Sequence, residues 1–246
     1  MRPVFRRKVE VEARSLAGTG PTAGRLELTA GNGRDEAHFH QSGGEINTRL
    51  TRNRENGGIM AKSEKQKMIT GELFNVYDPE LVAERGVARD QVEALNALGE
   101  SDPAASEQRV KALFGATGAG VEVHATFRCD YGYNIYVGDD FFANYDCTIL
   151  DVAPVRIGKH CLLGPKVQIY SVNHPADPKL RRNGAMGIGK PVTLGDDVWV
   201  GGGAIICPGV TLGNNVIVAA GAVVTKSFGD NVVLGGNPAR VIKNLK

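Results

Sequence analysis

The sequence predicts a mainly β chain wound as a parallel β-helix of hexapeptide repeats. Three observations predict it. A period of six runs through the C-terminal half. Glycine accounts for 32 of 246 residues, nearly twice the usual share of about 7%. Aromatics are scarce, at 6%, beside many Val and Ile. From Leu194 the chain divides into LGDDVW, VGGGAI, ICPGVT, LGNNVI, VAAGAV and VTKSFG, ending at Gly229. Each block opens on an aliphatic residue, and its second position is small or Thr. The register appears upstream as VGDDFF, ANYDCT and ILDVAP (137–154), shifts by two residues, and resumes as IGKHCL, LGPKVQ and IYSVNH (157–174). Internal repeats at a fixed period outrank any single-element assignment. Each hexapeptide reads as one short strand and one corner, so three of them close a triangular coil. Stacked coils bury columns of aliphatic side chains and leave little room for rings. A β-sandwich would alternate at longer and looser intervals.

The elements before the repeat follow in order. Residues 1–59 hold ten basic and seven acidic residues of the 29 and 27 in the chain, leaving 19 and 20 for the remainder. With isolated apolar residues, this stretch reads as a disordered extension. Met60 opens MAKSEKQKM, a plausible protein start, so an upstream start codon or a cloning scar is the leading explanation and a genuine flexible extension the second. Residues 60–116 read as a helical domain. A short polar helix covers 60–70, broken at Gly71. Asp78-Pro79-Glu80 starts a helix to about Leu98, since Asp caps, Pro fits the first turn and Glu complements the dipole. Ser101-Asp102-Pro103 starts another, ending near Gly115. The β-helix and a C-terminal tail occupy 117–246. Residues 173–191 break the repeat, and a long insertion in a regular scaffold is more often functional than accidental.

The net charge of +2 offers no field for nucleic acid. No apolar run approaches the roughly 20 residues that cross a membrane. Cys129, Cys147, Cys161 and Cys207 lack paired metal-ligand spacing and read as core residues of a cytoplasmic protein. His124, His160 and His174 do not converge in sequence, so no metal is expected. His160 sits at an exposed corner. His174 stands where the loop departs, and a neutral imidazole in a cleft is a natural general base for a hydroxyl.

The segments KMITGELFNVYDPEL (67–81), FRCDYGYNI (127–135), FFANYDCTILDVAPVRIG (141–158), NHP (173–175), GKPVTLGDDVWVGGGAIICPGVTLG (189–213) and VLGGNPARVIKNL (233–245) resemble the maltose O-acetyltransferases. Those are close to galactoside and nodulation acetyltransferases. The resemblance spans residues 60–246. It implies a left-handed helix, acetyl-CoA as donor, a sugar hydroxyl as acceptor and a homotrimer with sites at subunit boundaries. It makes His174 the catalytic base and Asn144 a residue that orients the reacting groups. Asp130 and Asp151 would meet the acceptor, and Met186 would reach the acceptor of a neighbouring subunit. Gly202 would offer its N–H to the thioester carbonyl. Ala220, Thr225 and Lys226 would line the pantetheine and nucleotide groove, with Arg240 and Lys243 near the phosphates. Val152 and Val76 stand where galactoside enzymes carry acids, which points toward the maltose group. No covalent intermediate is needed, so Cys147 and Cys207 are expected in the core. Two further readings share the scaffold: transfer to another acceptor, such as an antibiotic, a galactoside or serine, and a repeat prism with no catalysis.

Overall fold

The computed structural model describes residues 25–31, 34–41, 44–46, 61–99, 101–182 and 186–246. The chain divides into two units, Met1–Ala61 and Lys62–Lys246. In the first, β1 (Arg25–Gly31), β2 (Arg34–Gln41) and β3 (Gly44–Ile46) form an antiparallel meander. This corrects the disordered reading for those residues; the rest of that expectation lies outside the described ones. The hairpin has a sequence cause. Leu26, Leu28 and Ala30 alternate on one side of Asn32-Gly33, and Ala37 and Phe39 on the other, a strong hairpin signal. Leu26 pairs with Phe39 and Leu28 with Ala37.

The second unit opens with α1 (Glu64–Thr70), β4 (Leu73–Asn75), α2 (Pro79–Leu98) and α3 (Pro103–Leu113). Ser63 and Gln66 form a capping box on α1, which ends at Gly71 in the left-handed conformation. Asp78 accepts the Glu80 N–H at 3.1 Å and Asp102 that of Ala105 at 3.0 Å, so both Asp-Pro starts act as read. Val92, Leu95, Val110 and Leu113 join the apolar core of the following coils.

Five coils follow. They are β5 (Ala116–Thr117), β6 (Glu122–Val123) and β7 (Arg128–Cys129); β8 (Ile135–Val137), β9 (Phe142–Ala143) and β10 (Thr148–Leu150); β11 (Val155–Ile157), β12 (Leu162–Leu163) and β13 (Gln168–Tyr170). The loop then contributes β14 (Val172–Asn173), α4 (Pro178–Arg182) and β15 (Met186–Gly189). The fourth coil holds β16 (Val192–Leu194), β17 (Trp199–Val200) and β18 (Ile205–Ile206), and the fifth β19 (Thr211–Leu212), β20 (Val216–Val218) and β21 (Val223–Val224). β22 (Val232–Gly235) and β23 (Arg240–Asn244) close the chain. The first strands of the coils pair in parallel as one face, the second strands as another and the third as another, with β23 antiparallel beside β22 at the end of the second face. Val123, Ala143, Leu163, Val200 and Val218 stack in register inside, as do Ile149, Ile169, Ile206 and Val224. All nine are buried, and each large aliphatic among them contributes about 1.5–3 kcal/mol on burial.

The two-residue shift has a place. Ile149 aligns with Ile206 through Ile169, and Val155 aligns with Val192, whose neighbour Thr193 pairs with Thr211. Ile149 to Val155 is six steps, while Ile206 to Val210 is four. The extra residues sit at the corner between the third and first faces. The loop 173–191 leaves from that same corner one coil later. The loop is tied down by pairing: β15 runs antiparallel with β14 on one side and β4 on the other. Among the described residues, no helix is long and apolar enough to cross a membrane.

Candidate active site

The sequence-predicted residues collect along two edges of the prism. Asp130, Asp151, His174, Met186, Thr225 and Lys226 belong to the edge where the third face ends. The register on that face carries an outward column from Asp130 through Leu150, Tyr170 and Cys207 to Thr225. Four coil spacings separate its ends, roughly 19 Å. Asn144, Gly202 and Ala220 belong to the other edge, where the second face ends. There His124, Asn144, Gly164 and Gly201 each donate a backbone N–H to the next coil. Arg240 and Lys243 are exposed on β23, with Arg240 opposite Gly235 and Lys243 opposite Val233.

His174 is exposed, and its Nδ1 lies 2.9 Å from the Met186 carbonyl. A carbonyl only accepts, so Nδ1 carries the proton and Nε2 keeps its lone pair. Arg181 pins the chain behind it by donating to the carbonyls of Pro175 and Ala176 at 3.0 and 3.2 Å. Asp177 caps α4 by accepting the Lys179 N–H at 2.8 Å.

Asp151 corrects an expectation. It has no solvent exposure. Its carboxylate accepts the N–H groups of Asp130, Tyr131 and Asn134 at 3.0, 2.9 and 3.3 Å. Burial pushes it up to about 6, against the pull of the Tyr131 N–H. It bolts the wide corner together and cannot meet an acceptor. Asn134 and Ser171 assist: Asn134 Nδ2 donates to the Asp151 carbonyl at 2.8 Å, and Ser171 Oγ lies 2.8 Å from both the Leu150 and Ala153 carbonyls, which share its one proton. Sequence reasoning missed these two, because the period of six carries no mark for a residue in an overlong corner.

Asp130 is half-buried beside this corner, and burial raises its carboxyl while the Arg85 charge lowers it. Asp130 lines a cavity of about 310 Å³ with Arg85, Arg89, Glu93 and Arg128. Arg85 donates from Nη1 to the Tyr131 hydroxyl and from Nη2 to the Val76 carbonyl, both at 2.6 Å.

On the opposite edge, Asn144 Oδ1 accepts the Tyr145 N–H at 2.7 Å. Gly164 must be glycine, since a Cβ there would stand 2.7 Å from the Gly202 nitrogen. Gly202 is half-buried, and among the described residues its N–H has no acceptor. Ala220, Thr225 and Lys226 are exposed, the last with Nζ 5.4 Å from the Phe228 ring centre. Cys147 is fully buried and its thiol pushed up to about 11. Cys207 corrects an expectation: it is half-exposed on the outward column. Among the described residues no three His, Cys, Asp or Glu side chains gather to hold a metal.

Comparison with known proteins gives these edges a context. A family model described as the maltose acetyltransferase hexapeptide capping motif matches residues 67–118, and one for bacterial transferase hexapeptides, in six repeats, matches 191–226. Nodulation protein L of Rhizobium meliloti is 45% identical over 186 residues, covering 74% of this chain and 99% of the relative. A maltose O-acetyltransferase structure from Clostridium difficile is 46% identical with a TM-score of 0.74, over 76% of this chain and 99% of that one. A galactoside acetyltransferase bound to coenzyme A is 33% identical with a TM-score of 0.72, over 76% and 92%.

Proposed function

The chain belongs to the hexapeptide-repeat acetyltransferase family that holds the maltose and galactoside O-acetyltransferases, and from that premise we propose that it moves an acetyl group from acetyl-CoA to a hydroxyl of a sugar such as maltose or glucose. The observation that carries the reading is His174, whose proton is fixed on Nδ1 by the Met186 carbonyl. Nε2 is then free to take the acceptor's proton as its oxygen bonds to the thioester carbonyl carbon. The Gly202 N–H, without an acceptor among the described residues, receives the developing oxyanion; such a donor contributes about 3 kcal/mol. The C–S bond then breaks, and His174 returns the proton to the departing CoA thiolate. Coenzyme A in the galactoside relative supports the donor. Asn144 orients the reacting groups, Asp130 and Met186 face the acceptor, Ala220, Thr225 and Lys226 line the pantetheine groove, and Arg240 and Lys243 meet phosphates.

The acceptor belongs to the maltose side of the family. Val76 and Val152, which replace acids expected in galactoside enzymes, share one apolar cluster with Phe74 and Tyr131. Polar acceptor contacts there would leave buried groups unsatisfied. The active unit is a homotrimer. Asn144 and His174 lie on edges separated by the third face, roughly 16 Å at 3.3 Å per residue, so one chain does not bring them together. Leu162 and Trp199, 46% and 52% exposed in register on the second face, offer apolar area to a neighbouring copy.

A panel of sugars assayed for CoA release with a thiol reagent tests the reading, maltose and glucose being turned over ahead of galactosides. His174→Ala is expected to lower kcat by about 10²–10⁴-fold with acetyl-CoA binding retained. More than half the wild-type rate in that variant would remove the base assignment, and no CoA release with any sugar would remove the acceptor class.

A further inference from the structure

We propose that the N-terminal strand β4 is a positioning element for the reaction: Phe74, packed against Gly187, sets the placement of β15 and thereby the tautomer of His174. The proposal rests on His174 acting as base. Both readings use the hydrogen bond between His174 and the Met186 carbonyl; the contacts of β4 with β15 and α1 belong to the positioning alone.

His174 stands outside the coils, directly after β14, whose Asn173 pairs with Ile188 of β15. Its hydrogen bond goes to a carbonyl 12 residues on, at Met186. That carbonyl is held where it is by the antiparallel register of β15, in which Met186 pairs with Asn75, Gly187 with Phe74 and Ile188 with Leu73. β4 is in turn fixed from behind. Glu64, at the start of α1, accepts the Asn75 N–H at 2.6 Å. Phe74 is wholly buried in a cluster with Met68, Leu81, Tyr131 and Val152. A line of contacts therefore runs from α1 through β4 and β15 to the imidazole.

The tightest link is Gly187. A Cβ at that residue would stand 2.6 Å from the Phe74 ring, with Val76 at 3.1 Å. Phe74 has no solvent exposure and is packed on its other sides, so a side chain at 187 has to displace the ring or β15, and we take the strand to be what yields. The Met186 carbonyl moves with the strand. An imidazole that loses its acceptor at Nδ1 places its proton on Nε2 as readily, and a protonated Nε2 cannot take a proton from an alcohol. The helical segment is thus more than a cover for the first coil. It holds the base in the tautomer that reacts.

The test uses the full chain labelled with ¹⁵N-histidine, with His174 assigned by its loss in His174→Ala. Above neutral pH, wild-type protein should show the His174 proton on Nδ1. In Gly187→Ala the signal should shift toward protonated Nε2. In the same variant kcat should fall about tenfold or more, within the range that a misplacement near 1 Å produces, while KM for acetyl-CoA stays within about twofold. Gly187→Ala with Phe74→Leu, which frees the space of a ring, should restore both signals. Wild-type tautomer and kcat in a folded Gly187→Ala protein would overturn the proposal. Should that variant fail to fold, Phe74→Leu alone decides, because loosening the ring contact should also mix the tautomers and lower kcat. If instead His174→Ala keeps its activity, the base reading fails by itself, and the ring nitrogens still report whether β4 sets the tautomer.

Discussion

A carboxylate without solvent contact holds an overlong corner of the prism, and its charge state carries a measurable cost. Asp151 is titrated in the native state near 6 because burial disfavours its anion, while the Tyr131, Asp130 and Asn134 N–H groups only partly offset that. In an unfolded chain the same group titrates near its ordinary value of 3.8. Between the two values the native state binds more protons than the unfolded one. Stability from this group therefore rises as pH falls through 6 and levels off below 4. Asp151→Asn removes the titration. Compared by urea unfolding, wild type should gain roughly 1 kcal/mol over Asp151→Asn on moving from pH 7 to pH 5. An unchanged difference between the two would mean that the corner carboxylate is solvated. The carboxylate was visible in the sequence as an acid next to Val152, but its partners were not. Backbone N–H groups contribute nothing to a residue pattern, so an Asp that anchors a turn and an Asp that binds a sugar read alike.

Elements were legible where a period or a cap marks them. The Asp78-Pro79 and Asp102-Pro103 starts and the Gly71 stop place three helices, because a cap is a local hydrogen bond that the sequence spells out. The six-residue period placed the coils, because inward stacking repeats the same steric demand. What escaped was every contact between distant elements. β4 and β15 are only three and four residues long, too short for a pattern to mark them; their pairing exists only because α1 and the loop bring them side by side. The clamp of α2 on the wide corner escaped for the same reason. Arg85 spans it, bonded to the Tyr131 hydroxyl and the Val76 carbonyl, with its guanidinium 5.7 Å from the Tyr131 ring centre. Hydrogen bonds from a charged, partly buried donor contribute about 1.5–3 kcal/mol. Arg85→Ala should thus lower unfolding free energy by about 2 kcal/mol, and Arg85→Lys should recover less than half, since an ammonium cannot fork to both acceptors. A loss within about 0.5 kcal/mol would class the clamp with exposed contacts of little weight.

At the scale of the whole molecule, the question is where a complete site exists. One chain carries His174, Asp130 and Met186 on one edge and Asn144 and Gly202 on another, with the third face between them. In a closed three-fold ring each chain presents both edges, and each boundary joins the first edge of one copy to the second edge of the next. Such an arrangement makes a prediction that no single-chain site can meet. His174→Ala and Asn144→Ala should each form inactive or severely slowed homotrimers. Unfolded together in equal amounts and refolded, they should regain activity, because about a quarter of the boundaries then combine an intact His174 from one copy with an intact Asn144 from its neighbour. Mixing the two variants after each has assembled should restore nothing until subunits exchange. If both residues acted within one chain, every site in every mixture would lack one of them, and refolding together would leave the rate at that of the variants alone. Light scattering on the mixture would settle whether the assembly itself formed, so a flat result with trimeric particles would place the complete site inside one chain.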